Sequence, residues 1–266
     1  MNRESKLYLL LSLLRTQPVE FWDRLRNFIE GRYERKKPER DLPQAIRMET
    51  LTTLLLQIVN WDLEGALRET AMRQIEWHVH RQTSSSKGNR PFDPLHSADL
   101  TLARFCYAVC RTLSPTTVIE TGVAYGVTTS YVLQALAQNR RGSLWSIDLP
   151  PLCPMADQCV GLFVPQELRT VWQLERGVTR RHLPGLLDRV RTVDLFIHDS
   201  LHTRSNMTWE FETVWPHLRP GGVLIADDVQ GQAAFPDFVA KVHPQFSAVV
   251  IEDSKDATFG VAVKGP

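Results

Sequence analysis

From about residue 96 onward the chain alternates between two hydrophobic patterns. Short apolar, β-branched runs alternate with longer stretches whose apolar positions recur at helical spacing. The short runs are TTVIE (116–120), SLWSID (143–148), RTVWQLE (169–175), VDLFIHD (193–199), GGVLIADD (221–228), FSAVVIED (246–253) and TFGVAVK (258–264). Most are apolar on both faces, as strands of a parallel sheet covered by helices on each side must be. The last two, joined only by SKDA (254–257), predict an antiparallel hairpin at the sheet edge. The expected fold is α/β, with a doubly wound, mostly parallel, seven-stranded sheet.

Residues 1 to about 80 lack that alternation and read as helical. Leu7–Leu14 is an apolar run, and Phe21, Trp22, Leu25, Phe28 and Ile29 fall at helical spacing. The charged run Arg32–Arg40 reads as a solvated linker, and 48–82 as one or two further helices. Thr83–Pro94 is polar and contains Gly and Pro, so the boundary is placed there. An N-terminal helical accessory region (1–90) is thus expected before an α/β domain (91–266).

Charge narrows the partners. The chain's 266 residues include 31 basic and 30 acidic ones, a net charge of +1, which leaves no basic excess for a nucleic-acid backbone. The Leu7–Leu14 run is too short to span a bilayer. Glu4 among the early charges, and no small-residue cleavage site, argue against a secretory signal. A cytoplasmic protein without a membrane span is expected. The apolar first helix favours a homodimer arm over a lid. Cys106 and Cys110 share one helix face and read as buried small hydrophobes, with no nearby Cys/His pair to complete a zinc site.

The chemistry begins at TVIETGVAYGVTTS (117–130), where a strand ends in Glu120 and a loop follows with Gly122 and Gly126. A dinucleotide fingerprint would space its glycines G-x-G-x-x-G, which this loop does not. A carboxylate at Glu120 would repel a pyrophosphate arriving at the next helix N-terminus and attract a cation. S-adenosylmethionine joins an adenosine to a cationic amino-acid tail. The Glu-x-Gly-x-x-x-Gly loop resembles motif I of the class I S-adenosylmethionine-dependent methyltransferases, whose sheet is Rossmann-like. The resemblance runs from about His96 to the end. It implies that Glu120, Thr121, Gly122, Tyr125, Gly126 and Thr128 bind the donor. It also implies that Asp148 hydrogen-bonds the ribose hydroxyls and that Gly177 and Val178 pack the adenine.

Asp199 closes the fourth strand and Asp227 and Asp228 close the fifth. Neighbouring strand ends lie about 5 Å apart, so these carboxylates would converge and raise one another's pKa. A divalent cation removes that repulsion, and hard oxygen ligands suit Mg²⁺. The pattern resembles the metal-dependent O-methyltransferases of the catechol and macrocin types, in which such acids bind the ion. Asp199 then also contacts the donor and takes part in catalysis. His202, three residues on, is the candidate general base; the alternative is that it caps the next helix. His198 faces the other side of its strand and is assigned to the core, with Trp209 and Trp215. The expected reaction is O-methylation of a small-molecule acceptor such as a sugar or phenol. Metal-free methylation of another acceptor, or a non-catalytic donor-binding module, remain open alternatives.

Overall fold

The computed structural model describes residues 3–34, 44–85, 91–92, 100–231, 233–253 and 257–266. Among the described residues, helices come first: α1 (Arg3–Thr16), α2 (Pro18–Glu34), α3 (Met48–Val59), α4 (Glu64–Leu67), α5 (Thr70–Ser85) and α6 (Leu100–Leu113). Strands and helices then alternate: β1 (Thr117–Thr121), α7 (Val127–Asn139), β2 (Ser143–Asp148), α8 (Ala156–Cys159), β3 (Trp172–Arg176) and α9 (Thr179–Val190). The chain closes with β4 (Val193–His198), α10 (Arg204–Val214), β5 (Leu218–Ala226), α11 (Ala234–Val242), β6 (Phe246–Ile251) and β7 (Thr258–Val263). Among the described residues no helix is long and apolar enough to cross a membrane.

The seven-stranded sheet has the order β3-β2-β1-β4-β5-β7-β6. β1 to β5 pair in parallel, and β7 runs antiparallel to both neighbours. The expected hairpin is present, with one difference: β7 inserts between β5 and β6, leaving β6 at the edge. The strand order reverses between β1 and β4, which opens a crevice at the carboxyl ends of those strands.

Each apolar run has gone where burial favours it. Every residue of β4 is buried, Asp194 and His198 included, as its mostly apolar sequence favours. One core lies between the sheet and α6 and α7; the other lies against α9, α10 and α11. α6 buries nine residues, among them Cys106 and Cys110, both free thiols with no exposure. Each fully buried Leu or Phe there contributes roughly 1.5–3 kcal/mol.

The N-terminal helices divide into two groups. Leu51 and Leu55 of α3, and Met72, Ile75 and Val79 of α5, belong to the same core as α6 and α7. Ile46 joins the sheet edge: its N–H donates to Val249 O (2.8 Å) and its carbonyl accepts from Ile251 N–H (2.9 Å). These residues form a layer over the sheet domain; the expected boundary near 90 falls largely outside the described residues.

α2 is attached differently. Phe21 is buried, but Val19, Trp22, Phe28 and Ile29 are exposed. Polar ties hold the helix instead. Arg176 pairs with Glu20, and Arg181 with Asp23 at 2.9 Å. Arg24 donates to Pro150 O at 2.9 Å, and Thr203 to Glu30. These contacts lay α2 across the carboxyl ends of the strands, the position of a lid. Most of the charged run 32–40 lies outside the described residues.

Candidate active site

A cavity of about 720 Å³ sits in the crevice, within the range of small-molecule sites. Its wall is built from strand ends: Gly122–Ala124 after β1, Ile147–Leu149 at β2, Gly177–Thr179 after β3, Asp199–His202 after β4, and Asp227 and Asp228 after β5. Asp23, Arg26 and Asn27 of α2 contribute the remaining side.

The β1 loop can lie against the end of β4 because residue 122 is glycine. Gly122 has φ +84°, and a Cβ there would meet Asp199 O at 1.8 Å. Asp199 N–H in turn donates to Thr121 O at 2.7 Å. Gly126, at φ +83°, has a similar cause: a Cβ would fall 2.9 Å from Gly161 Cα.

Asp148 stands at the cavity with its carboxylate held by the backbone N–H groups of Ala124, Val123 and Leu149. Burial nevertheless pushes its pKa up to about 6, and Oδ2 is buried with no partner among the described residues. An acceptor oxygen left vacant beside a glycine loop suits a ligand hydroxyl. Gly177 and Val178 line the same part of the cavity.

Five of the residues assigned to the donor lie behind that surface: Glu120, Thr121, Tyr125, Gly126 and Thr128 are not among the cavity's lining residues. Glu120 accepts from Thr129 Oγ1 (3.0 and 2.9 Å) and Ser146 Oγ (2.7 Å), while Trp172 Nε1 donates to Ser146 (2.9 Å). Burial raises Glu120 to about 8. Tyr125 stacks on Phe163, with ring centroids 4.9 Å apart. Thr121 donates to Glu210 at 2.7 Å. Thr128 Oγ1, in the first turn of α7, is buried with no partner.

The acids on β4 and β5 do converge, in a set that differs from the expected one. One ligand atom each from Asp199, His202 and Asp227 fits within 4.8 Å. Asp228, at φ +51°, instead places Oδ2 2.9 Å from His202 Nδ1. His202 Nε2 lies 3.5 Å from Asp199 Oδ1. Asp227 Oδ1 is buried without a partner. Burial, followed by the charge of Asp227, raises Asp199 to about 7. Burial alone would lower His202, but its bonds to Asp199 and Asp228 prevail and raise it to about 10. The helix-cap role goes to the next residue: Thr203 Oγ1 accepts from Asn206 N–H at 3.2 Å.

Beneath this loop lies a network that the sequence reading missed. His198 is fully buried, as expected of a core residue, with Nδ1 2.7 Å from Glu210 Oε2. Glu210 also accepts from Ser200 Oγ (2.8 Å) and Asn206 Nδ2 (2.9 Å), and Asn206 donates to Leu201 O (3.1 Å). Burial would raise Glu210, yet His198 and the surrounding donors bring it down to about 2. The signal was available: Met207, Glu210, Phe211 and Val214 form one inward stripe of α10. An acid in such a stripe needs buried partners.

Similarity to known proteins agrees with this geometry. Residues 119–229 match a family described as a methyltransferase domain. No curated protein sequence matches the chain. Among solved structures, the fold is similar to an O-methyltransferase from Bacillus cereus in complex with SAH, at 12% identity and TM-score 0.53, covering 81% of this chain and 97% of that one. It is also similar to a Streptomyces achromogenes O-methyltransferase involved in tomaymycin synthesis, in complex with SAM, at 15% identity and TM-score 0.52, covering 81% and 96%. An SAH-bound methyltransferase from Podospora anserina matches at 12% identity and TM-score 0.53, covering 85% and 100%. At these identities the likeness is one of fold. Residues 119–229, which carry the β1 loop and Asp148, Asp199, Asp227 and Asp228, match the methyltransferase domain family, and the sheet around them has the fold of the methyltransferases above.

Proposed function

We propose that the protein methylates a hydroxyl oxygen of a small molecule, assisted by a divalent cation for which Mg²⁺ is the best chemical match. The observation that carries the reading is the gathering of Asp199, His202 and Asp227 within 4.8 Å, on the same cavity that Asp148 and the Gly122 loop line. The unpartnered Asp227 Oδ1 and the raised Asp199 are what a carboxylate cluster without its cation should display.

S-adenosylmethionine supplies an electrophilic methyl group on a sulfonium. Asp148 Oδ2 accepts from its ribose, and Gly177 and Val178 pack its adenine. Asp199 and Asp227 would hold the cation, with His202 Nε2 as the third ligand or as the base beside it. When bound, the cation lowers the pKa of an acceptor hydroxyl and fixes its direction. Asp228 orients His202 through Nδ1, which turns Nε2 toward Asp199 and the acceptor. The proton that His202 carries among the acids would be displaced by a bound cation, leaving Nε2 to ligate the ion or to take the hydroxyl proton. α2 roofs the cavity and excludes water. The exposed apolar residues Leu11, Trp22 and Phe28 support pairing of two copies through the N-terminal helices.

One observation favours a metal-free variant of this reading. His202 at about 10 is itself a cation among the acids and offsets part of their charge. A panel of phenolic and sugar acceptors with methyl-labelled donor, run with Mg²⁺ and with EDTA, separates the two. Label transfer that EDTA abolishes and Mg²⁺ restores is expected. Transfer indifferent to EDTA removes the metal, and no transfer to any hydroxyl acceptor contradicts O-methylation.

A further inference from the structure

The mechanism above leaves one cavity feature unused. Arg26 of α2 and Arg180 of α9 both line the cavity that holds the acids. The Arg180 side chain is only 19% exposed. Its Nη2 donates to Ser205 O (3.1 Å) and Oγ (3.0 Å), and its guanidinium lies over the Trp209 ring at 5.1 Å. Glu30 is 3.8 Å away, beyond hydrogen-bond distance, and already accepts from Thr203. Arg180 is therefore fixed in position while most of its donors remain unspent. Burial lowers its pKa, Glu30 and Glu210 oppose that, and the like charge of Arg26 adds to it, so the net direction is down. Glu30, at ion-pair distance, offsets part of the cost of a partly buried guanidinium facing a second one, and a further anion would offset more. Arginine, with a planar fork of donors, suits a carboxylate or phosphate better than lysine does.

We propose that Arg26 and Arg180 form an oxyanion subsite for the acceptor, so that the natural substrate carries a carboxylate or phosphate as well as the hydroxyl that is methylated. The proposal rests on the methyl-transfer reading. An anionic group is repelled by Asp199, Asp227 and Asp228, so it must sit away from the reacting hydroxyl, and the arginines supply that second place. One arginine comes from the roof helix and one from the sheet domain. An anion between them fastens α2 over a filled site. A neutral sugar or phenol would offer neither guanidinium a substrate anion.

The test is calorimetry on the full chain saturated with S-adenosylhomocysteine and Mg²⁺. Probes come as matched sets: 3,4-dihydroxybenzoate against 3,4-dihydroxybenzamide, and glucuronate and glucose 6-phosphate against glucose. At least one charged probe should bind about tenfold or more tightly than its neutral counterpart. Arg26→Gln and Arg180→Gln should each erase that advantage, and Arg180→Lys should retain part of it. Arg26 is exposed, so its variant tests the idea without threatening the fold. S-adenosylhomocysteine affinity should stay unchanged in all variants. The carboxylate and phosphate arms decide which oxyanion is preferred. Equal affinity for charged and neutral probes, binding of neither, or an advantage that survives both Gln variants overturns the subsite. Loss of S-adenosylhomocysteine affinity in the variants overturns it too, by assigning the arginines to the donor's own carboxylate. Arginine-dependent binding without any methyl transfer contradicts the methylation reading and leaves the subsite standing.

Discussion

The cavity floor rests on two buried glutamates, Glu120 beneath the β1 loop and Glu210 beneath the β4 loop, with 1% and 0% exposure. Burial opposes the charge of each. Glu120 meets only the hydroxyls of Thr129 and Ser146 and rises to about 8. Glu210 meets His198, Thr121, Ser200 and Asn206, and falls to about 2. The donors a buried acid faces, more than its depth, decide its charge. The consequence is two differently built halves. The β4 half holds a fixed anion that ties down the loop carrying Asp199 and His202. The β1 half rests on an acid that burial biases toward its neutral form, a bias that a cation arriving nearby would oppose.

The largest effect should come from breaking the fixed half. Glu210→Ala strands His198 and three donors, and should lower the unfolding free energy by about 3–5 kcal/mol in urea titration. A change under about 1 kcal/mol would mean that the network does not organise the loop. Next in size are the groups presented at the ends of β4 and β5. Asp227→Asn and His202→Ala should each reduce turnover by about 10²-fold or more at saturating donor, while calorimetry shows donor affinity within about threefold of wild type. Equal losses in affinity and turnover would move these residues to the donor side.

The smallest effect concerns the adaptable half and is read from pH. Glu120's folded pKa, about 8, exceeds the unfolded value of 4.5. Its contribution to stability is therefore full below 4.5 and is lost as pH rises through about 8. Glu120→Gln removes that titration. The variant's Tm relative to wild type should climb by several degrees between pH 5 and 8.5, with a flat difference contradicting the raised pKa. Glu210 has the opposite sign: with a folded pKa of about 2 against 4.5, its contribution is present above 4.5 and lost as pH falls through 2.

The same contrast explains what the sequence disclosed. Asp148, Asp199 and Asp227 were legible at strand ends because an acid closing a mostly apolar run is a local signal. Gly122 was legible for the same reason. The insertion of β7 beside β5 was not, since β6 and β7 are both apolar and either pairing buries them. Nor was the placement of α2. It depends on Glu20 meeting Arg176 and Asp23 meeting Arg181, pairs more than 150 residues apart. The apolar residues Trp22 and Phe28 drew attention to the face that the fold leaves exposed, while the charged face does the roofing. The turn at Asp228 that hands it to His202 needs a positive φ no motif encodes.

The central claim is that a sulfonium donor lies along this strand edge with its ribose on Asp148. Calorimetric titration of S-adenosylmethionine into the wild type and Asp148→Ala tests it most directly. One saturable site in the wild type, weakened about 10–100-fold in the variant by loss of charge-assisted hydrogen bonds, is the predicted result. No heat of binding in the wild type, or equal affinity in both proteins, would contradict it.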